Sequence, residues 1–172
     1  MYGKPLTKIR RLRRWTADVG LLLAVTAIGL AAARSSRAFA PQGRFSVGTS
    51  TDTIVDTQTH LIWQAVDSVT THPWTDAVAY CQNLTLGGTT GWRLPTVAEL
   101  LTLVDDSRAD PAIDPVAFPT MPTDNLAFWT SSSILAGFNS TYAWTVSFQE
   151  GVVAFAFGPT SLHVRCVASS PP

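Results

Sequence analysis

Cys81 and Cys166 are the only cysteines in this 172-residue chain, and whether they are joined limits what it can fold into more than any other feature. A bond between them would close a loop of about 86 residues, worth ~4.5 kcal/mol in the chain-entropy picture. It would also force an early and a late segment to lie side by side. Whether the bond forms depends on the compartment, so the start of the chain has to be read first.

Lys4, Lys8, Arg10, Arg11, Arg13 and Arg14 open the sequence, and fifteen mostly apolar residues follow, Val19 to Ala33. "RSSRAFA" then ends in a small-x-small triplet, Ala38-Phe39-Ala40. These are the three parts of a secretory signal. The apolar run is shorter than the roughly 20 residues of a spanning helix. Pro41 is awkward just after a cleavage point, so a cut nearer Ala33, or an uncut leader acting as an inner-membrane anchor, stands beside removal at Ala40. On any of these readings the remainder is expected to be exported: periplasmic, secreted or at the cell surface. In an oxidising compartment a lone, widely separated cysteine pair is most simply a disulfide. The competing reading, a catalytic thiol with a nearby His, needs a free cysteine, and a bridge would leave none.

Residues 1–40 carry eight of the twelve basic residues. From Pro41 onward only Arg44, Arg93, Arg108 and Arg165 remain, against eleven Asp and Glu, a balance of −7 with no Lys. Such a surface repels phosphate and sulfate polymers and argues against nucleic acid as a partner. Membrane contact is expected only through the N-terminal segment. The length suits one domain with an ordinary core. The expected organisation is a signal peptide or anchor at 1–40, a small-residue polar linker at 41–52, and a domain at 53–169.

Within that domain, "TIVDTQTHLIWQ" has two short apolar stretches around a turn-prone Asp56–His60 and predicts a β-hairpin. "HPWTDAVAYCQNL" places Trp74, Ala77, Val78, Cys81 and Leu84 at helix spacing, opened by Pro73 and closed by Gly87-Gly88. In "GWRLPTVAEL", Thr96 and Glu99 form the S/T-x-x-E capping box: the hydroxyl takes an orphan amide and the carboxylate reaches back to the cap amide. Pro95 holds the preceding backbone extended, and Val97, Leu100, Leu101, Leu103 and Val104 give a second short helix its apolar face. Arg93 either pairs with a carboxylate beneath this corner or faces a ligand. A long loop rich in Asp and Pro follows, and then "FWTSS", "YAWTVSF", "VVAFAFG" and "HVRCV" read as antiparallel strands. In "YAWTVSF", Trp144, Val146 and Phe148 share a face. In "VVAFAFG", Val153, Phe155 and Phe157 do. The fold class is α+β, two helices packed on one side of antiparallel strands.

"VDTQTHLIWQ", "WTDAVAYCQNL", "GWRLPTVAELLTLVD", "FWTSS", "AWTVSFQEG" and "VRCV", in this order, resemble the Lcl C-terminal domain family. These are secreted bacterial domains named from a collagen-like adhesin. "WRLPTVAEL" is also similar to a segment of the formylglycine-generating-enzyme group. The resemblance implies a compact C-type-lectin-like fold, with a bridge from the first helix to the last strand at the positions of Cys81 and Cys166. It also implies binding of glycan or another cell-surface ligand in adhesion. Two departures stand out. His60 replaces a Gly of the family's hairpin, which costs about 1 kcal/mol if that turn needs a positive φ. The collagen-like stalk of the named member has no counterpart here.

Enzymatic chemistry finds little footing. The formylglycine-generating reaction needs a close reactive cysteine pair, there is no G-x-S-x-G elbow, and His60, His72 and His163 share no zinc-ligand spacing. No cofactor is required. Calcium is the candidate cation, since Asp105, Asp106, Asp110 and Asp114 could gather around a hard ion; as helix-end and turn residues the same aspartates need no metal. Asp124, Asn125, Trp129, Phe138 and Tyr142 are the candidates for a ligand surface, with core the competing role for Trp129. The expectation is a non-catalytic recognition or adhesion module. The alternative is a structural or accessory cell-envelope domain without a small-molecule ligand.

Overall fold

The computed structural model describes residues 43–124, 126–136 and 140–170. The expected leader lies outside them. Among the described residues no helix is long and apolar enough to cross a membrane.

The described part is α+β, but its strands form two antiparallel sheets where one was expected. The first has the order β1-β2-β3-β7, built from β1 (Phe45–Val47), β2 (Thr53–Asp56), β3 (Leu61–Gln64) and β7 (Val167–Ser169). The second has the order β4-β5-β6, from β4 (Ala127–Ala136), β5 (Ser140–Ser147) and β6 (Val152–Phe157). Helices α1 (Trp74–Asn83) and α2 (Val97–Leu101) come between β3 and β4. The sheets separate because the chain leaves β6 through Gly158-Pro159 and returns to β3. On the way it bridges His72 at Leu162 and Phe128 at His163.

The hairpin expected around Asp56–His60 is β2–β3, with Ile54 opposite Trp63. β1 corrects the reading of 41–52 as linker. Its anchor is Arg44, whose guanidinium grips Asp56 through Nε and Nη2 at 3.0 and 2.5 Å, while Phe45 packs edge-on against Phe118. Asp56 is fully buried and also accepts from the Gln58 amide and the Thr59 hydroxyl. Burial works to raise its pKa, but the hydrogen bonds from Arg44, Thr59 and Gln58 outweigh it and hold the group below the usual carboxylate range.

Successive residues of a strand point to opposite faces, and here each face has its own core. Trp63, Leu100, Leu103, Phe118, Phe128, Val146 and Phe148 form one cluster. Ile62, Ala77, Cys81, Trp92, Trp129, Leu162, Val164 and Cys166 form the other. The second cluster encloses the Cys81–Cys166 disulfide, whose Cα atoms lie 5.5 Å apart. Cys81 sits four residues after Ala77 on the buried face of α1, and Cys166 immediately precedes β7. The bridge therefore fastens α1 to the first sheet.

Helix α2 ends sooner than its apolar pattern suggests. Thr102 turns its hydroxyl back to the Glu99 carbonyl, and its own carbonyl accepts from Arg44, so the backbone leaves the helix after Leu101. Leu100 and Leu103 are buried nonetheless. Val104 then packs at the β5–β6 turn against Gly151, where φ is +74° and an added Cβ would meet Val104 Cγ1 at 2.6 Å. Only glycine satisfies both the turn and the contact.

Candidate functional site

The corner at residues 93–99 is a closed local network. Thr96 Oγ1 accepts from the Glu99 amide, and Glu99 Oε2 accepts from the Thr96 amide at 2.8 Å, so both halves of the capping box are present. Arg93 resolves to the pairing alternative. Its Nη1 and Nη2 donate to the two Glu99 oxygens at 2.8 and 2.6 Å, a fork-on-carboxylate contact. The guanidinium, helped by the cap amide, pulls Glu99 down to about 2. Pro95 is buried and its carbonyl accepts from Ser131 N, which ties the corner to β4.

In the Asp-rich loop the carboxylates with side-chain contacts use them locally. Asp105 is buried and spent on the Ser107 hydroxyl and amide and on Arg108 Nε at 2.8 Å. Asp114 accepts from the Val116 amide as a turn residue. Asp110 has a φ of +52°, and Asp106 and Asp110 are exposed. Among the described residues no three His, Cys, Asp or Glu side chains come together to hold a metal ion.

The five candidate ligand residues separate. Asn125 and Phe138 lie outside the described residues. Asp124 is exposed beside Thr123, in a shallow hollow with Asp67 and His163. Trp129 is a correction as a surface platform: it is completely buried, and its Nε1 donates to the His72 carbonyl at 2.8 Å. Its position one residue after Phe128 on β4 turns it into the disulfide cluster. Tyr142 is half-buried and belongs to an aromatic face that the sequence reading did not identify.

That face is the outer end of β5 and β6. The register sets Tyr142 opposite Phe157 and Trp144 opposite Phe155, so all four rings point the same way. Tyr142 lies 5.4 Å from Phe157 and 6.0 Å from Phe155, and Trp144 lies 5.9 Å from Phe155. Phe155 is 60 % exposed and Phe157 44 %. Further along the same face Val146 and Phe148 are buried, because α2 and the loop after it cover only that end. The rings thus form a contiguous strip held by a paired sheet.

Phe157 is also one wall of a groove of about 360 Å³, shared with Pro73, Trp74, Asp76, Thr141 and Pro159. The groove is rigid. Trp74 donates its amide to the Gly158 carbonyl and its Nε1 to the Thr130 carbonyl, both at 2.8 Å, and Gly158 N bonds Thr141 O at 2.9 Å. Asp76, in the first turn of α1, is exposed, and its carboxylate accepts from the Thr75 hydroxyl at 3.4 Å.

With that geometry in place, comparison with known families is informative. The model of the Lcl C-terminal domain matches residues 52–168, more than half of the chain. The chain belongs to the Lcl C-terminal domain family. No curated protein matches it.

In this Lcl C-terminal domain both cysteine sulfurs are in the bridge, and no free cysteine remains. His163 Nδ1 lies 3.1 Å from Asp67 Oδ2, half of a hydrolase-like relay. Burial pushes Asp67 above the usual carboxylate range, against the pull of Arg165 and His163. Among the described residues no serine, threonine or cysteine hydrogen-bonds to the other ring nitrogen of His163. The arginines are equally committed. Arg44, Arg93 and Arg108 pair with Asp56, Glu99 and Asp105. Arg165 is fully buried, donates to the Gln64 and Ala65 carbonyls, and lies over the Phe118 ring. Desolvation brings it down to about 10, opposed by Asp67, so it stays charged at neutral pH. Every cation of the described domain is thus used internally.

Proposed function

We propose that this domain is an exported, non-catalytic recognition module that binds glycan at the strip of Tyr142, Trp144, Phe155 and Phe157, in a compact C-type-lectin-like fold. The observation that carries the reading is the strip itself. Four contiguous rings stay in contact with water on a rigid sheet, although burying each would be worth about 2 kcal/mol. Exposed aromatic clusters of this kind mark interaction surfaces, and rings fixed in a sheet present the apolar faces of sugars with a flat platform at low entropic cost. The helix-to-strand bridge supports the lectin-like reading of the fold. From Pro41 onward, the absence of Lys and the internal commitment of the four arginines disfavour sulfated or phosphorylated polymers and favour an uncharged or cationic one.

Screening residues 41–172 on a glycan array, with and without calcium, tests this. The expected result is a signal from non-acidic glycans that is lost in a Phe155→Ser/Phe157→Ser variant of unchanged stability. Silence toward all glycans in both conditions would sink the reading. A second reading, a structural or accessory envelope domain, draws on the burial of Trp129 and the local use of Asp105. It expects the same variant to disturb assembly with envelope components and to leave glycans unaffected.

A further inference from the structure

The groove beside the strip has an asymmetry of its own. Its walls are mostly apolar, with Thr75 and Thr141 among them, and its single charged lining residue is Asp76, an exposed carboxylate without an ion pair among the described residues. No arginine lines it, and all four of the domain's arginines are occupied elsewhere. A cation entering here would meet Asp76 with no arginine competing for it, in a groove that Trp74 also lines, the residue type whose ring attracts cations most strongly. The indole cannot swing away, since its Nε1 is tied to the Thr130 carbonyl. The domain's balance of −7 raises the local concentration of any cationic ligand at its surface.

We propose that this groove is an ammonium site that takes the free amine of an amino sugar, while the sugar rings of the same chain stack on the strip. Phe157 connects the two, as it belongs to the strip and to the groove wall. This inference rests on the glycan reading of the strip and adds the chemistry that would select among glycans. An amine carried directly on a sugar ring has few torsions to order when it meets a carboxylate. A lysine side chain would give up most of its ~2 kcal/mol of rotamer freedom to do the same. The amine keeps its proton and donates to the carboxylate; no bond is made or broken.

The test measures binding of the immobilised full chain to a glucosamine oligosaccharide, its N-acetylated counterpart of equal length, a glucose oligosaccharide with the same linkage, and a lysine-containing peptide. The expected result is up to about fivefold tighter binding of the free-amine sugar than of the N-acetylated one, the gain typical of an ion pair at an exposed carboxylate. Asp76→Asn should abolish that difference. Asp52→Asn, which alters an exposed carboxylate in the β1–β2 turn of the other sheet, should keep it. With the wild type alone, the difference should close as the pH rises until the amine is neutral, so the proposal stays testable if the Asp76 variant folds poorly. Equal affinity for free-amine and N-acetylated sugars overturns the ammonium site and leaves the strip reading standing. Binding of the peptide in place of the sugars, with Asp76 required, overturns the amino-sugar occupant. No binding of any oligosaccharide overturns the strip reading and this inference with it.

Discussion

Phe128 and Phe155 are the same residue type in the same three-stranded sheet, and they have opposite fates. Phe128 on β4 is completely buried, edge-on to Phe148 at 5.3 Å and under the Arg165 guanidinium. Phe155 on β6 is 60 % in water beside Trp144 and Tyr142. The strand pattern treats them alike. What differs is the covering: α2 and the loop after it lie over the Phe128 end, and no described element lies over the rings of the Phe155 end. Strand alternation says which side chains share a face, and only the tertiary path of the chain says whether that face meets a core or a partner.

The comparison breaks most directly at those two positions. Phe128→Ala removes a ring from a closed cluster and should cost about 3–5 kcal/mol. Phe155→Ala should change stability by no more than about 0.5 kcal/mol while weakening ligand binding. Urea unfolding of both variants checks this. Equal costs would mean that Phe155 is part of the core and the strip is not a surface for recognition. Removing the bridge as Cys81→Ala/Cys166→Ala should cost about 2–5 kcal/mol, because α1 is then held to the first sheet by packing alone. Ligand affinity measured well below the unfolding temperature should change little, since the strip is held by strand pairing.

The same contrast explains which parts of the molecule were legible in the sequence. The capping box, the Asp56–His60 turn and the start of α1 are decided within a few residues, so their chemistry can be read locally. The bridge was legible because only two cysteines exist. β1 was not, because "RFSV" becomes a strand only through Asp56, twelve residues after Arg44. Asp105 offered a candidate metal ligand by composition, yet its carboxylate is satisfied by Ser107 and Arg108, two and three residues away. Trp129 and Phe155 were the hardest. Both lie in alternating apolar strands, and their exposures are set by the 162–168 segment and by α2. One signal could have pointed to the strip: "VVAFAF" has no charge or proline, and an edge strand that sticky is often an interaction surface.

Acid sharpens the comparison, because it loads the framework and spares the strip. Glu99 falls from 4.5 to about 2 on folding, chiefly through its hydrogen bond with Arg93. A carboxyl depressed in the folded state stabilises above its unfolded pKa and loses that contribution as pH falls. The corner's share should therefore be complete above about pH 5 and decline between 4.5 and 2. Arg93 is 42 % exposed, so solvent screening limits the loss to about 1–2 kcal/mol. Thermal unfolding followed across that window should show the decline, and Glu99→Gln should be less stable at pH 7 with a flatter acid profile. An unchanged profile would mean that the Arg93–Glu99 pair adds nothing to the corner's hold on Ser131 of β4.

The smallest expected effect is a gain. His60 closes the β2–β3 turn with a φ of +57°, a region that L side chains enter at a cost and glycine enters freely. Its amide bonds the Asp56 carbonyl and its carbonyl accepts from Ser170 N, so the backbone is fixed from both sides whatever side chain it carries. His60→Gly should keep both bonds and relieve the strain, while the unfolded chain gains freedom that offsets part of the benefit. The net is a stabilisation of up to about 1 kcal/mol, read as a small rise in the urea midpoint at constant slope. Binding at the strip on the other sheet should not move. A loss of stability would show that the imidazole contributes a contact that outweighs the strain, and that His60 belongs with the committed framework side chains.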